Sequence, residues 1–213
     1  ARRALAFAAA NFYGNPERRM KLIGVTGTNG KTSTAYMLKT IFSHSGYETA
    51  LLGTAKGSIG DAAYTPPLDG AEADEYETMT TPDPEVLYRT LADLADRGVE
   101  VTVMEASSHA LALDKLAPIK FAVGIFTNLS REHLDFHGTM ENYLAAKAKL
   151  FDRCRVGLFN ADDAAGRTLL QNARCRAVSY GLTPPCDYLA EEIESRGVRG
   201  STYILHTKNA RFR

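Results

Sequence analysis

The stretch that most constrains this chain is Gly24-Val25-Thr26-Gly27-Thr28-Asn29-Gly30-Lys31-Thr32-Ser33. An apolar run at 21–25 leads into it, and a helical pattern over 32–45 leads out. A glycine-rich turn between a strand and a helix is the setting of a phosphate loop. Glycines let successive backbone N–H groups face one anion, and the helix N-terminus adds partial positive charge. The motif predicts that Gly27, Thr28, Asn29, Gly30, Lys31, Thr32 and Ser33 cradle the phosphates of a nucleotide. Lys31 would reach the β- and γ-phosphates, and the Thr32 hydroxyl would coordinate Mg²⁺. Val25 stands where the common G-x-x-x-x-G-K-S/T pattern has its first glycine, so the loop is a compressed form.

The rest of the chain alternates in the same way. Strand-like runs fall at 49–52, 99–104, 121–127, 156–159 and 177–180, and helical patterns at 84–97, 140–153 and 163–173. This alternation predicts an α/β fold: a mainly parallel sheet with helices on both faces, binding ligands outside the C-terminal ends of its strands. Residues 53–79, rich in Gly, Pro, Thr and acids, read as a long excursion rather than core. Residues 201–207 read as one strand of an antiparallel pair whose partner is missing, a partial antiparallel edge that suggests truncation. Residues 1–18 are expected to be the tail of a preceding domain or linker, and 19–213 a central domain cut short at its C-terminal end.

Lys plus Arg and Asp plus Glu each number 25, so no global field recruits nucleic acid or anionic lipid. Trp is absent and no apolar run approaches membrane-spanning length. The three cysteines Cys154, Cys175 and Cys186 form no C-x-x-C pair, which favours reduced thiols in a cytoplasm. Small-molecule substrates are the expected partners.

Three further features carry chemistry. Glu105 closes the strand-like run at 99–104, beside the phosphate loop, where an acid can hold Mg²⁺; a helix-start or surface acid is the plainer alternative. His133, Asp135 and His137 form H-x-D-x-H, whose donors also leave zinc open. Lys147 falls in an apolar stripe of Met140, Tyr143, Leu144, Leu150 and Phe151 at helical spacing, while Lys149 points the opposite way. A lysine on an inward face snorkels, is paired, or is chemically modified.

T-G-T-N-G-K-T at 26–32 resembles the Mur ligase superfamily, which includes folylpolyglutamate and cyanophycin synthetases. E-A-S-S-H-A-L at 105–111 is similar to the E-V-S-S-H-A/G-L signature of its tripeptide-synthetase branch. Residues 127–135 resemble the T-N-L/V-S/T-x-D/E-H-L/M-D segment. T-T-P at 80–82, Y-x-A-A-K at 143–147, N-A-D-D at 160–163 and F-Y-G-N-P at 12–16 follow the family as well, so the likeness runs from about Phe12 to about Tyr180.

The resemblance implies an ATP-dependent amide-bond ligase of peptidoglycan precursor synthesis in the bacterial cytoplasm. Such an enzyme adds the third amino acid to UDP-MurNAc-L-Ala-D-Glu through an acyl phosphate. It implies two Mg²⁺ ions, held by Thr32, Glu105, His133 and Lys147, the last as a CO₂-derived N-carboxylysine. Lys31, His133 and Lys147 would be catalytic. Thr80, Thr81 and Ser107 would meet the UDP-MurNAc-dipeptide, and Asn128 and Asn160 the nucleotide. Leu113 and Lys115 stand where the family often has Gln and Arg; Lys115 keeps the charge for substrate contact but loses the planar fork. Asp135 and His137 would orient His133 or cap a helix. A monomer is expected, inactive without its neighbouring domains. A sibling ligase and a nucleotide-binding module without ligase activity remain as alternatives.

Overall fold

The computed structural model describes residues 1–54 and 57–212. The chain opens with helix α1 (Arg2–Phe12), strand β1 (Lys21–Thr26), α2 (Lys31–His44) and β2 (Thr49–Leu52). Then come β3 (Ser58–Ile59), β4 (Ala62–Ala63), α3 (Ala71–Thr78), α4 (Pro84–Asp96) and β5 (Val101–Glu105). The middle holds α5 (Ser108–Ala112), β6 (Phe121–Phe126), α6 (Leu134–His137) and α7 (Met140–Ala148). The last part holds β7 (Cys154–Asn160), α8 (Ala164–Asn172), β8 (Arg176–Gly181), β9 (Tyr188–Ser195), β10 (Ser201–His206) and β11 (Arg211–Phe212).

Among the described residues these strands form one sheet, ordered β11-β10-β9-β8-β7-β6-β1-β5-β2-β3-β4. From β2 to β9 every neighbouring pair is parallel. Both ends are antiparallel. The expected α/β architecture is therefore present, with its antiparallel C-terminal edge.

Apolar residues on both faces of the central strands explain this layering. Leu22, Met104, Phe121 and Phe126 share one cluster with Leu87, Tyr88, Leu91 and Leu94 of α4 and with Ala6, Ala9 and Ala10 of α1. Ile23, Val25, Leu51 and Val103 pack with Ala35 of α2 on the other face. Parallel strands covered on two faces read as continuous apolar runs, and each fully buried Leu contributes about 2 kcal/mol. Pro84 sits in the first turn of α4, where its missing N–H costs nothing. The register pairs Val25 with Glu105 and Thr26 with Phe126. The ends of β1, β5 and β6 thus lie side by side, and the loops that follow them must meet.

Three expectations need correction. Residues 53–79 contain a short hairpin, β3–β4, that extends the sheet beyond β2, and then α3. The helix expected over 140–153 ends at Ala148, and Phe151–Arg153 is a separate 3-10 turn. β10 does have its antiparallel partner: β9 pairs with it from Ser201↔Ser195 to His206↔Leu189. β9 leaves little strand signal in the sequence because it has no buried residue, and Glu191, Glu192 and Glu194 dilute its strand character.

Candidate active site

The phosphate loop is bound on its flank by the segment that follows β6. Thr28 N–H donates to the Asn128 carbonyl at 2.9 Å. Asn29 N–H donates to Asn128 Oδ1 at 3.0 Å, and Asn128 Nδ2 donates back to the Asn29 carbonyl at 3.1 Å. Thr127 Oγ1 donates to the same carbonyl at 2.7 Å. Gly27 must be glycine: its φ is +151°, and a Cβ there would overlap Thr127 Oγ1. Asn160 Nδ2 donates to the Thr127 carbonyl at 2.8 Å. Asn128 and Asn160, expected beside the nucleotide, are here braces of the loop. Lys31 Nζ folds back onto the Gly27 and Thr28 carbonyls at 3.1 and 2.8 Å. Ser33 lies one residue further into α2 than Thr32.

Glu105, 1 % exposed, faces the first turn of α2. Its Oε1 accepts from Thr32 Oγ1 at 2.9 Å and from Thr54 N–H at 3.0 Å, and its Oε2 accepts from Thr54 Oγ1 at 3.3 Å. A side chain at Gly53 would overlap this carboxylate. A hydroxyl and a carboxylate at a helix N-terminus fit Mg²⁺, which takes hard oxygens and keeps water and phosphate in its remaining positions. Thr54 is not legible from the sequence, since a lone threonine in a polar segment carries no signal.

The T-T-P turn docks on the same strand end. Thr80 Oγ1 lies 2.9 Å from Thr54 Oγ1. Thr81 Oγ1 donates to the Glu105 carbonyl at 2.9 Å and accepts from Ser107 N–H at 3.1 Å. Ser107 caps α5, its Oγ accepting from Ala110 N–H at 3.2 Å. Lys115 is 5 % exposed, with Nζ 2.6 Å from Asp83 Oδ1 beside that turn.

Lys147 is 1 % exposed. Its Nζ donates to the Gly27 carbonyl at 2.7 Å and stands 4.3 Å from the Tyr143 ring centroid. Burial, and then the charge of Lys31, push its pKa down to about 7, against a smaller opposing pull from Glu132. Much of this amine is therefore neutral near neutral pH. Lys149 turns away to the Ala112 carbonyl and Asp114, as the helical spacing required.

His133 caps α6 with φ +54° and has a half-exposed side chain. Its ring lies 4.9 Å from His109 and 6.2 Å from Tyr143. His137 is buried, with Nε2 3.0 Å from Ser108 Oγ, and burial lowers its pKa. Among the described residues no three His, Cys, Asp or Glu side chains converge to hold a metal ion. The H-x-D-x-H string therefore does not close into a zinc-type cluster.

The chain matches the family described as Mur ligase middle domain over residues 25–212. It is 39 % identical over 209 residues to a UDP-N-acetylmuramoyl-L-alanyl-D-glutamate--2,6-diaminopimelate ligase of Clostridium botulinum (strain ATCC 19397 / Type A), covering 97 % of this chain and 41 % of that protein. A solved structure of a ligase with that name superposes with TM-score 0.78 at 31 % identity, over 91 % of this chain and 38 % of that one. A Mycobacterium tuberculosis folylpolyglutamate synthase complexed with ADP and AMPPCP shares the fold, with TM-score 0.75 at 21 % identity over 95 % of this chain and 51 % of that one. The chain thus spans about two fifths of the length of the curated relatives it matches. With its compressed phosphate loop, buried strand-end acid and inward lysine in the family's order, the chain belongs to the Mur ligase middle-domain family.

Proposed function

We propose that this chain is the ATP-binding unit of an amide-bond ligase of peptidoglycan precursor synthesis, acting on UDP-MurNAc-L-Ala-D-Glu and an amino acid. One observation carries this function: Thr32, Glu105 and Lys147 meet around a single phosphate loop. The buried lysine at Gly27 is the feature that a hydroxyl–carboxylate Mg²⁺ site alone does not call for.

In the reaction, a substrate carboxylate oxygen attacks the γ-phosphorus, ADP leaves, and an acyl phosphate forms. The incoming amine then attacks the acyl carbon, loses a proton, and expels phosphate. Lys31 would swing from its two loop carbonyls to the β- and γ-phosphates, while the loop N–H groups keep the phosphates in line. Thr32 and Glu105 would hold one Mg²⁺. His133 and Lys147 would hold a second, Lys147 after its neutral amine has bonded to CO₂ and lost a proton. The ions would supply charge neutralisation for the transferring phosphoryl group. Thr80, Thr81 and Ser107 form the shelf where the dipeptide would lie. The relatives' names make 2,6-diaminopimelate the first amino acid to try.

The test is phosphate release by the ligase that carries this domain, with Mg-ATP and UDP-MurNAc-L-Ala-D-Glu, adding amino acids singly. Stimulation by 2,6-diaminopimelate with a matching mass gain in the nucleotide product is expected. A protein that binds Mg-ATP and responds to no amino acid would overturn the proposal.

A further inference from the structure

Tyr143 belongs to no binding or catalytic group assigned above, yet it contacts both Thr28 of the phosphate loop and Lys147. It is 1 % exposed. Thr139 caps the start of α7, its Oγ1 accepting from Asn142 N–H at 3.2 Å. This fixes a helix in which Tyr143 and Lys147, four residues apart, share one inward face. The Tyr143 hydroxyl lies 3.3 Å from Thr28 Oγ1 and beside the Ser108 hydroxyl. Its ring lies 4.8 Å from that of His137, and the Lys147 amine sits over its face.

The hydrogen bonds at Thr28 give the phenol a definite part. Thr28 Oγ1 accepts from Ser130 N–H at 3.0 Å and donates its single proton toward the Ser130 carbonyl at 3.3 Å. With its proton on the Ser130 carbonyl, Thr28 Oγ1 keeps one acceptor position for the Tyr143 O–H. The hydroxyl thus holds the phosphate loop from below, while the ring seats the amine that bonds Gly27 from the same side.

We infer that Tyr143 is a positioning residue for the ligase reaction: its hydroxyl holds Thr28 in the nucleotide-binding geometry, and its ring holds Lys147 under the loop. This rests on the function proposed above. The experiment is steady-state kinetics of the ligase carrying this domain, with melting temperature read in parallel. Tyr143→Phe keeps the ring and loses the donor. It should raise KM for ATP about tenfold with kcat nearly unchanged. Thr28→Val removes the same bond together with the two to Ser130, so it should raise KM for ATP at least as much, and adding Tyr143→Phe to it should cost nothing further. Tyr143→Leu removes the ring as well and should lower kcat by on the order of a hundredfold, a loss that Phe restores at the same position.

An unchanged KM in Tyr143→Phe, beside an active wild type, would overturn the inference and leave the ligase function standing. Phe and Leu variants that lose kcat alike, in step with melting temperature, would also overturn it by reducing Tyr143 to core packing. A wild type without turnover would instead remove the function on which the inference rests.

Discussion

β1, β2 and β5 are buried along almost their whole length, whereas β9 has no buried residue and β10 has only Ile204. The two regions also hold their loops differently. Where β1, β5 and β6 end, each turn is tied to another strand's loop by buried or half-buried side chains, as Asn128 ties Asn29 and Glu105 ties Thr32 and Thr54. The antiparallel arm is held by its backbone ladder and by surface pairs such as Lys208–Asp187 and Arg211–Glu192. Exposed pairs of that kind contribute about 0–1 kcal/mol each. Positional precision therefore lies where buried parallel strands end together, and the arm should tolerate change.

The sharpest break with the arm should come at Lys31. Lys31→Ala is expected to lower ligase turnover by on the order of a thousandfold with little change in melting temperature, read by phosphate release. Near-normal turnover would remove the strand ends from the chemistry altogether. Gly27→Val tests the packing of the same loop. The unfavourable φ and the overlap with Thr127 should cost about 3 kcal/mol in a denaturant titration and abolish Mg-ATP binding. A variant that binds nucleotide normally would show that the loop is looser than its bonds suggest.

Lys147 sharpens the comparison through pH. Its pKa is about 7 in the folded chain, against an ordinary value of 10.5. Between those values the unfolded chain binds a proton that the native state lacks, so this group makes stability rise with pH across that window. Below about 7 both states are protonated and the cost is constant. Lys147→Met should therefore be more stable than the wild type at pH 7, and the gap should close toward pH 10, while turnover falls. Melting curves in CO₂-free buffer at both pH values decide this; a gap that stays constant would mean the amine is not held neutral.

In the arm, Ile204→Ala should cost about 2 kcal/mol by denaturant titration and leave turnover within about twofold. Val198→Ser, at a fully exposed position, should change stability by less than about 0.5 kcal/mol. A large loss of turnover in either variant would mean that the arm, too, sets the site.

What the sequence determined by itself was whatever short-range pattern carries. The glycines and Lys31 announce the loop, and apolar runs separated by helical stretches announce the parallel sheet. The spacing of Tyr143, Lys147 and Leu150 puts Lys147 inward and Lys149 outward. The last of these needed only the 3.6-residue turn. Four matters were decided by tertiary structure alone. Thr54 joins Glu105, Asp83 takes up Lys115, Asn128 and Asn160 brace the loop, and the Tyr143 hydroxyl meets Thr28. These pairs span from about 30 residues of chain, for Asp83 with Lys115 and Asn160 with Thr127, to 115 for Tyr143 with Thr28. Local propensity has no access to such distances. They are set by the register that ends β1, β5 and β6 side by side, and a register is a property of packed strands, with buried faces that admit only one alignment.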